Sequence, residues 1–228
     1  HTRAFLKIQD GCNYVCSFCI IPQARGRSRA ISIEKAVEEA KAVLAQGFKE
    51  IVLTGVNIGE YERSSAERLP ELVREILKLD GLERLRLSSV EPNTLSDELL
   101  DVFASSPKFM PHFHIPLQSG NDEILKNMRR KYDVAFYKNI IQKILKRFPD
   151  AGNGADIIVG FPGESDEQFQ DTYNLAKELA LTHFHVFPFS TRKNTLAAKM
   201  EDHIQHAVKK DRVKSLIALG EAKLAMFA

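Results

Sequence analysis

Short apolar segments alternate with helical segments along almost the whole chain of 228 residues, and this alternation constrains the fold most strongly. Predicted strands cover residues 4–9, 50–53, 85–88, 113–115, 155–159 and 184–187. Predicted helices cover residues 32–46, 69–79, 96–105, 123–128, 134–147, 165–179 and 206–227, the last of them basic and amphipathic. Such alternation predicts an α/β fold with a parallel sheet and outer helices. Six units favour a partial (β/α)6 TIM-like barrel over a flat doubly wound sheet, although periodicity alone does not separate the two.

Local signals mark where several of these helices begin. Ser32 and Ser96 precede apolar stripes and are predicted N-caps, and Gly47 ends the first long helix. Ser165 and Gln168 form an S-x-x-Q capping box, in which each side chain bonds to the backbone N–H of the other residue.

The loops that follow the predicted strands carry unusual residues. In a parallel α/β fold the active site lies at the carboxyl ends of the strands. The loops expected there are residues 11–19, the Thr54-Gly55 turn, residues 88–92, residues 118–120, the GFPGE segment at 160–164 and the FPFS segment at 187–190. Their common position after strands predicts one functional site.

All three cysteines of the chain fall within eight residues, as a C-x3-C-x2-C pattern of Cys12, Cys16 and Cys19. An odd number of closely spaced thiols argues against disulfides. Three thiolates can surround one metal centre and leave it one ligand short, because tetrahedral iron and zinc take four ligands. The spacing favours an iron–sulfur cluster with one open iron. A zinc site that borrows His112 or His114 is the alternative.

Composition sets broader limits. With 44% hydrophobic and 27% charged residues, the chain has enough apolar material for a sizeable core. No apolar run approaches the roughly 18 residues that a membrane span needs. Unpaired cysteines with metal-type spacing fit a cytoplasmic location. The net charge of +2 is too small to indicate a nucleic-acid partner, so such a partner must be argued from local basic clusters.

Longer segments match the motifs of one enzyme family. They are AFLKIQDGC at residues 4–12, CIIP at 19–22, RGR at 25–27, HIPLQSG at 114–120, IVGFPGE at 158–164 and FPFSTR at 187–192. In these segments the chain resembles the radical S-adenosylmethionine (SAM) domain of the methylthiotransferases, and KIQDGC and HVFP look most like the branch that acts on threonylcarbamoyladenosine in tRNA. Asn194 departs from the family, which usually has glycine there, but Asn tolerates a left-handed backbone better than most residues.

The resemblance implies a cofactor set and a reaction. It implies the radical SAM type of partial barrel, a 4Fe-4S cluster on Cys12, Cys16 and Cys19, and SAM that is cleaved to a 5′-deoxyadenosyl radical. The branch that the chain looks most like adds a methylthio group to N6-threonylcarbamoyladenosine beside the tRNA anticodon, with an electron donor such as flavodoxin or ferredoxin.

The family resemblance also implies further domains. Methylthiotransferases carry an N-terminal domain with a second 4Fe-4S cluster and a C-terminal RNA-binding TRAM domain. We expect residues 1–228 to be the core domain, excised from such a protein and incomplete for the full reaction.

Candidate cofactor-binding residues follow from the same resemblance. Thr54 and Gly55 are expected at the methionine part of SAM, Glu91 and Gln118 at its amino group or ribose, Gly160 and Gly163 at the adenosine, and Phe187 and Phe189 around the adenine. From the residues alone, the glycines also fit turns, the phenylalanines fit core packing better, and Glu91 equally fits a cap. Phe18 either shields the cluster or packs in the core.

Basic residues provide the candidate tRNA contacts. Arg25, Arg27 and Arg29 follow the cysteine loop at alternate positions and are expected to bind tRNA phosphates. A second basic group at residues 126–131 is interpreted as a solvated face. Arg192 is expected to reach SAM or substrate, whereas His114 and His185 are expected to be structural strand residues without a ligand role.

Two alternatives stay open on the sequence. One keeps the chemistry and changes the substrate to isopentenyladenosine in tRNA or to an aspartate of a ribosomal protein. The other belongs to a different class, a zinc-bound and non-catalytic RNA-interaction module. Metal analysis separates the second alternative, because an enzyme of this family contains iron and acid-labile sulfide instead of zinc.

Overall fold

The computed structural model describes residues 2–227, which divide into two compact units. The first unit comprises residues 2–13, Ile21–Phe113 and Lys143–Ala151, and the second comprises Tyr14–Ile20, His114–Gln142 and residues 152–227. The strands are β1 Ala4–Lys7, β2 Gln9–Asp10, β3 Arg29–Ala30, β4 Glu50–Thr54, β5 Glu62–Ser64, β6 Glu67–Arg68, β7 Arg84–Leu87, β8 His112–His114, β9 Gly152–Val159 and β10 His183–Pro188. The α-helices are α1 Ile21–Arg25, α2 Ile33–Ala45, α3 Leu69–Leu77, α4 Asp97–Ala104, α5 Asp122–Asn127, α6 Val134–Arg147, α7 Asp166–Glu178 and α8 His206–Phe227.

The first unit is built on a parallel sheet with the strand order β1-β4-β7. Ile51 in β4 lies opposite Ala4 in β1 and opposite Leu85 in β7. The buried apolar positions of α2, α3 and α4 supply the rest of this core, including Ala36, Ala40, Leu72, Ile76, Leu99 and Phe103. Two small antiparallel pairs, β2 with β3 and β5 with β6, were not predicted, because strands of two or three mostly polar residues carry no periodic signal.

The second unit is built on a sheet with the order β8-β9-β10. Strand β10 runs parallel to β9, with His185 opposite Asp156 and Pro188 opposite Val159. Helix α8 packs on this sheet at Gly220, where an added Cβ would lie 3.1 Å from the ring of Phe184.

The predicted helix starts are confirmed. Ser32 accepts a hydrogen bond from the Lys35 N–H, and Ser96 accepts one from the Leu99 N–H. Both bonds of the Ser165 and Gln168 capping box are present. Helices α6 and α8 have the predicted bounds.

The prediction that α8 is amphipathic is wrong. Its buried residues form a narrow stripe of Arg212, Leu216 and Gly220, four positions apart, while Ile217 and Leu224 are exposed. A charged residue therefore occupies the buried face. Within residues 2–227, none of the helices combines the length and the apolar character that crossing a bilayer requires.

Candidate functional site

Close backbone packing in the first unit fixes the segment that carries Cys12. Gly11 has φ of +74°, and an added Cβ would lie 2.1 Å from the carbonyl oxygen of Arg27, so only glycine fits there. The Cys12 N–H donates to the Gly26 carbonyl at 3.1 Å. The side-chain amide of Asn57 donates to the Cys12 sulfur at 3.6 Å. The half-buried sulfur therefore faces a neutral donor.

Cys16 and Cys19 belong to the second unit and lie on a turn anchored by its backbone. The Cys19 N–H donates to the Cys16 carbonyl at 3.2 Å, and the Ser17 N–H donates to the Met128 carbonyl at 3.1 Å. Arg130 Nη1 donates to the Cys16 sulfur at 3.2 Å. A guanidinium beside sulfur favours the thiolate, which is the form that binds metals.

The donor set fits the predicted cluster. The three cysteines are half-buried, and the chain has no fourth cysteine. Thiolate sulfur is the donor that iron–sulfur clusters require, and three such donors leave one iron without a protein ligand. The zinc alternative, in which His112 or His114 supplies the fourth ligand, stays a prediction.

A cavity of about 300 Å³ lies in the second unit, where β9 and β10 end. Its walls come from both strands, from the segment after β10, from the cysteine loop and from the segment after β8. They are formed by Phe18, Gln118, Asp156, Ile158, Phe187, Pro188, Phe189, Ser190 and Arg192. Phe187 is half exposed, whereas Phe189 is buried against Phe161 in an edge-to-face contact. The predicted residues Gln118, Phe187, Phe189 and Arg192 are thus brought together.

Gln118 is the most informative wall residue. Its φ is +65°, and its backbone N–H and C=O bond to Asp156 and Ile158 of β9 at 2.8 and 2.9 Å. The side-chain oxygen Oε1 is buried and has no hydrogen-bond partner within residues 2–227. A buried polar atom without a partner is rare in folded proteins and is explained when a ligand donates to it.

The other predicted cofactor residues have structural contacts. In the first unit, Thr54 Oγ1 donates to the Leu6 carbonyl, and Glu91 precedes the 3-10 turn Pro92–Thr94. A Cβ on Gly55 would lie 2.7 Å from Gln9 Oε1, so packing alone explains this glycine. Their role at SAM stays a prediction.

Gly160 and Gly163 do not line the cavity. Both have positive φ, of +71° and +79°, as the turn after β9 requires. The Gly160 N–H donates to Glu164 Oε1 at 3.0 Å, and the side chain of Lys209 covers the place where a Cβ would stand. The turn interpretation accounts for both residues, and their approach to adenosine stays a prediction.

The three arginines after the cysteine loop differ in their environment. Arg25 and Arg29 pair with Asp10 at 3.0 and 2.9 Å. The hydrogen bond from Lys7, together with the backbone N–H of Gly11 and the charge of Arg25, holds the pKa of Asp10 well below its usual range. Arg27 is exposed and makes no ion pair within residues 2–227.

Part of the second basic group serves internal contacts. Arg130 donates to the Cys16 sulfur and lies over the ring of Tyr132, with 5.1 Å from the guanidinium carbon to the ring centroid. Lys131 Nζ lies 4.0 Å from the centroid of the Tyr14 ring. These two residues are therefore engaged by the protein itself, while Arg192 lines the cavity.

A cluster of two histidines and an aspartate was missed by the sequence analysis. His114 Nε2 and His185 Nδ1 lie 3.0 and 3.3 Å from the same oxygen of Asp156. Burial alone would raise the pKa of Asp156, but the two imidazoles outweigh burial and lower it. The signal available in the sequence was an H-F-H pattern at residues 112–114 and again at 183–185, because alternate strand residues share one face.

Comparison with known proteins identifies the family. A profile of the Radical SAM superfamily matches residues 6–176. The chain belongs to the radical SAM superfamily, and this membership implies a 4Fe-4S cluster and SAM as cofactors.

Individual relatives agree with the resemblance found in the motifs. The chain is 44% identical over 222 residues to threonylcarbamoyladenosine tRNA methylthiotransferase MtaB of Bacillus subtilis, which covers 96% of this chain and 49% of that protein. It is 40% identical over 217 residues to tRNA-2-methylthio-N(6)-dimethylallyladenosine synthase of Acetivibrio thermocellus. That match covers 94% of this chain and 45% of that protein. The chain spans about half the length of these curated relatives.

Solved structures confirm the predicted fold class. The radical SAM methyltransferase TsrM of Kitasatospora setae, solved with cobalamin and a 4Fe-4S cluster, superposes with a TM-score of 0.73 at 20% identity over 85% of this chain and 38% of that one. Methylornithine synthase (PylB) superposes with a TM-score of 0.65 at 17% identity, over 96% of this chain and 62% of that one. At these identities the likeness concerns the fold alone, which is the α/β partial TIM-like barrel of the radical SAM type.

Proposed function

We propose that this chain is the radical SAM core of a tRNA methylthiotransferase that adds a methylthio group to N6-threonylcarbamoyladenosine beside the anticodon. The observation that carries the proposal is the 44% identity, over 96% of the chain, to a relative named for that reaction. The motifs on the cysteine loop and at the strand ends lie within the matched region.

In the proposal, Cys12, Cys16 and Cys19 hold the 4Fe-4S cluster. The cluster and SAM, when bound, supply the radical that removes a hydrogen atom from an unactivated C–H bond. The residues of the chain bind and orient these two cofactors. Asn57 and Arg130 donate to two of the three sulfurs, which stabilises negative charge on them.

The cavity of the second unit is the proposed place for the nucleoside part of SAM or of the substrate. Gln118 Oε1 supplies an acceptor for an amino or hydroxyl group, and its buried position makes that bond worth about 1–3 kcal/mol. Phe187 and Phe189 offer aromatic surface to a base, and the exposed guanidinium of Arg192 suits an anionic group. Thr54, Gly55, Glu91, Gly160 and Gly163 keep their proposed roles at SAM.

The wider assembly is also part of the proposal. Because the chain spans about half of its curated relatives, we place it as the core of a longer protein with an N-terminal domain that holds a second 4Fe-4S cluster and a C-terminal TRAM domain. The proposed partners are the tRNA anticodon stem-loop and an electron donor such as flavodoxin or ferredoxin. The proposed tRNA substrate supports a cytoplasmic location.

A chimera tests the proposed function. This chain would replace the matching half of the Bacillus subtilis relative in cells that lack that relative, and tRNA nucleosides would be analysed by mass spectrometry. The expected product is 2-methylthio-N6-threonylcarbamoyladenosine, absent when the chimera carries Cys16→Ala. A chimera that assembles its cluster and yields no methylthiolated nucleoside contradicts the proposal.

The relative from Acetivibrio thermocellus supports a second candidate substrate, because its identity of 40% is only slightly lower. In the same chimera, methylthiolation of dimethylallyladenosine instead of threonylcarbamoyladenosine would favour that substrate. A methylthiolated aspartate in a ribosomal protein would favour that alternative substrate. Each outcome leaves the radical SAM chemistry in place and reassigns only the substrate.

Arg27→Ala is expected to weaken binding of an anticodon stem-loop that carries threonylcarbamoyladenosine by about 3- to 10-fold. The affinity of this variant should also depend less steeply on salt concentration, by the equivalent of about one phosphate contact. Arg27 is exposed and has no acidic partner in the described chain, whereas Asp10 neutralises Arg25 and Arg29. Arg25→Ala should therefore have a smaller effect. Fluorescence anisotropy at several salt concentrations measures the RNA affinity of both arginine variants, with Lys146→Ala as the exposed control. Equal losses for Arg27→Ala and Lys146→Ala would remove Arg27 from the interface.

A further inference from the structure

Three potential metal ligands meet on one face of the second sheet. His114 ends β8, Asp156 lies in β9, and His185 lies opposite Asp156 in β10. Their ligand atoms all lie within 4.8 Å of one another. Both imidazoles converge on a single carboxylate oxygen, Oδ1, at 3.0 and 3.3 Å.

These separations match those of ligands that share one ion. Zinc binds histidine nitrogen and carboxylate oxygen at about 2.0–2.2 Å, so neighbouring ligands in tetrahedral or octahedral sites stand about 3.0–3.4 Å apart. The neighbouring His183 is not part of this cluster, and its Nδ1 hydrogen-bonds with Thr182 Oγ1 at 2.9 Å.

We propose that His114, Asp156 and His185 form a binding site for a divalent transition metal such as zinc. Two imidazole nitrogens and one carboxylate oxygen are a donor set that such ions prefer over magnesium or calcium. The side chains are 15%, 25% and 60% exposed, so the site has a path of entry. Asp156 also lines the cavity, so the remaining coordination positions face a space that a ligand can enter. The site requires neither the cysteines nor the proposed function.

Zinc titration by calorimetry tests the site after the cysteine thiols are removed as competitors. One arm uses the full chain with Cys12→Ser, Cys16→Ser and Cys19→Ser, and a second arm uses the unmodified chain with its thiols alkylated, in case the triple variant does not fold. In each arm, the zinc affinity of the thiol-blocked protein is compared with that of the same protein carrying His185→Ala or Asp156→Asn. His206→Ala, an exposed histidine at the start of α8, is the matched control.

The expected result is one zinc ion per chain, bound roughly tenfold or more weakly in His185→Ala and Asp156→Asn, since even residues that only orient metal ligands usually contribute this much. His206→Ala should leave the affinity unchanged. With Co²⁺ as the probe, the bound ion should show ligand-field bands without thiolate charge transfer. Absence of zinc binding in a folded arm, or an affinity that none of the variants changes, overturns the proposal and leaves a hydrogen-bonded His–Asp–His network.

Discussion

Replacing Cys16 with alanine is expected to reduce SAM cleavage by the reconstituted chain to the background of cluster-free protein. The substitution removes one of three thiolates, and no other cysteine is present to replace it. A cluster left with two protein ligands is not expected to survive purification. Arg130 Nη1, which donates to the Cys16 sulfur, would lose that acceptor, while Arg130 Nε keeps its bond to the Tyr132 hydroxyl.

Anaerobic reconstitution with iron and sulfide, followed by dithionite and SAM, provides the measurement. The product is 5′-deoxyadenosine, and iron and acid-labile sulfide are determined in parallel. Tyr14→Phe is the matched control in the same loop, because it keeps the ring against which Lys131 packs. An unchanged yield of 5′-deoxyadenosine in Cys16→Ala would remove this cysteine from the cluster. A colourless protein that retains zinc would favour the RNA-interaction module.

Arg212→Met is expected to destabilise the fold by about 3–5 kcal/mol, the usual cost of removing one partner from a buried ion pair. Arg212 and Glu164 have side chains only 6% and 2% exposed, and Arg212 Nη1 bonds to Glu164 Oε1. Arg212 Nη2 also pairs with Asp166 at 2.7 Å, and its guanidinium lies over the ring of Phe169. Without Arg212, the Glu164 carboxylate would be left buried with the Gly160 N–H and no cation.

Chemical denaturation measures the loss, with Lys214→Met as the control on an exposed position of the same helix. The double variant Arg212→Met with Glu164→Gln should recover part of the stability, because it removes the uncompensated charge. A loss in Arg212→Met no larger than that in Lys214→Met would show that the pair contributes little.

The loss in Arg212→Met should depend on pH. Burial raises the pKa of Glu164, and the Gly160 N–H and Arg212 oppose that rise only in part. A carboxyl whose folded pKa lies above its unfolded pKa binds a proton on folding, so its stability contribution is present at low pH and is lost as the pH rises through the folded pKa. Removing Arg212 raises the folded pKa further. The deficit should therefore be largest at neutral and alkaline pH and should shrink as the pH falls toward the range in which glutamate protonates.

The helix starts and the left-handed turn at Asn194 were predictable because they depend on residues close together in the sequence. Ser32 and Ser96 each cap through a bond to a residue three positions away, and Ser165 and Gln168 cap each other. Asn194 adopts φ of +67°, as its side chain allows. The signals for these features lie within a few residues, so the local sequence was enough to predict them.

The predicted ligand contacts stay predictions. Gln118, Phe187 and Phe189 do line one cavity, whereas a hydrogen bond to Leu6 accounts for Thr54 and close packing accounts for Gly55 and Gly160. A glycine turn looks the same in sequence whether a side chain or a ligand covers it. For the arginines, the sequence could not distinguish Arg27 from Arg25 and Arg29, because the neutralising Asp10 lies some fifteen to nineteen positions away.

The sequence by itself determined the strand–helix order, the caps and the cysteine loop, because these depend on residues close together along the chain. Only the tertiary structure decided that Arg212 pairs with Glu164 across 48 positions, that Gln118 Oε1 has no hydrogen-bond partner within residues 2–227, and that His114 and His185 converge on Asp156. Such groups meet through strand register and helix packing. Their energies depend on burial, which removes the water that would otherwise satisfy each charge and each polar atom.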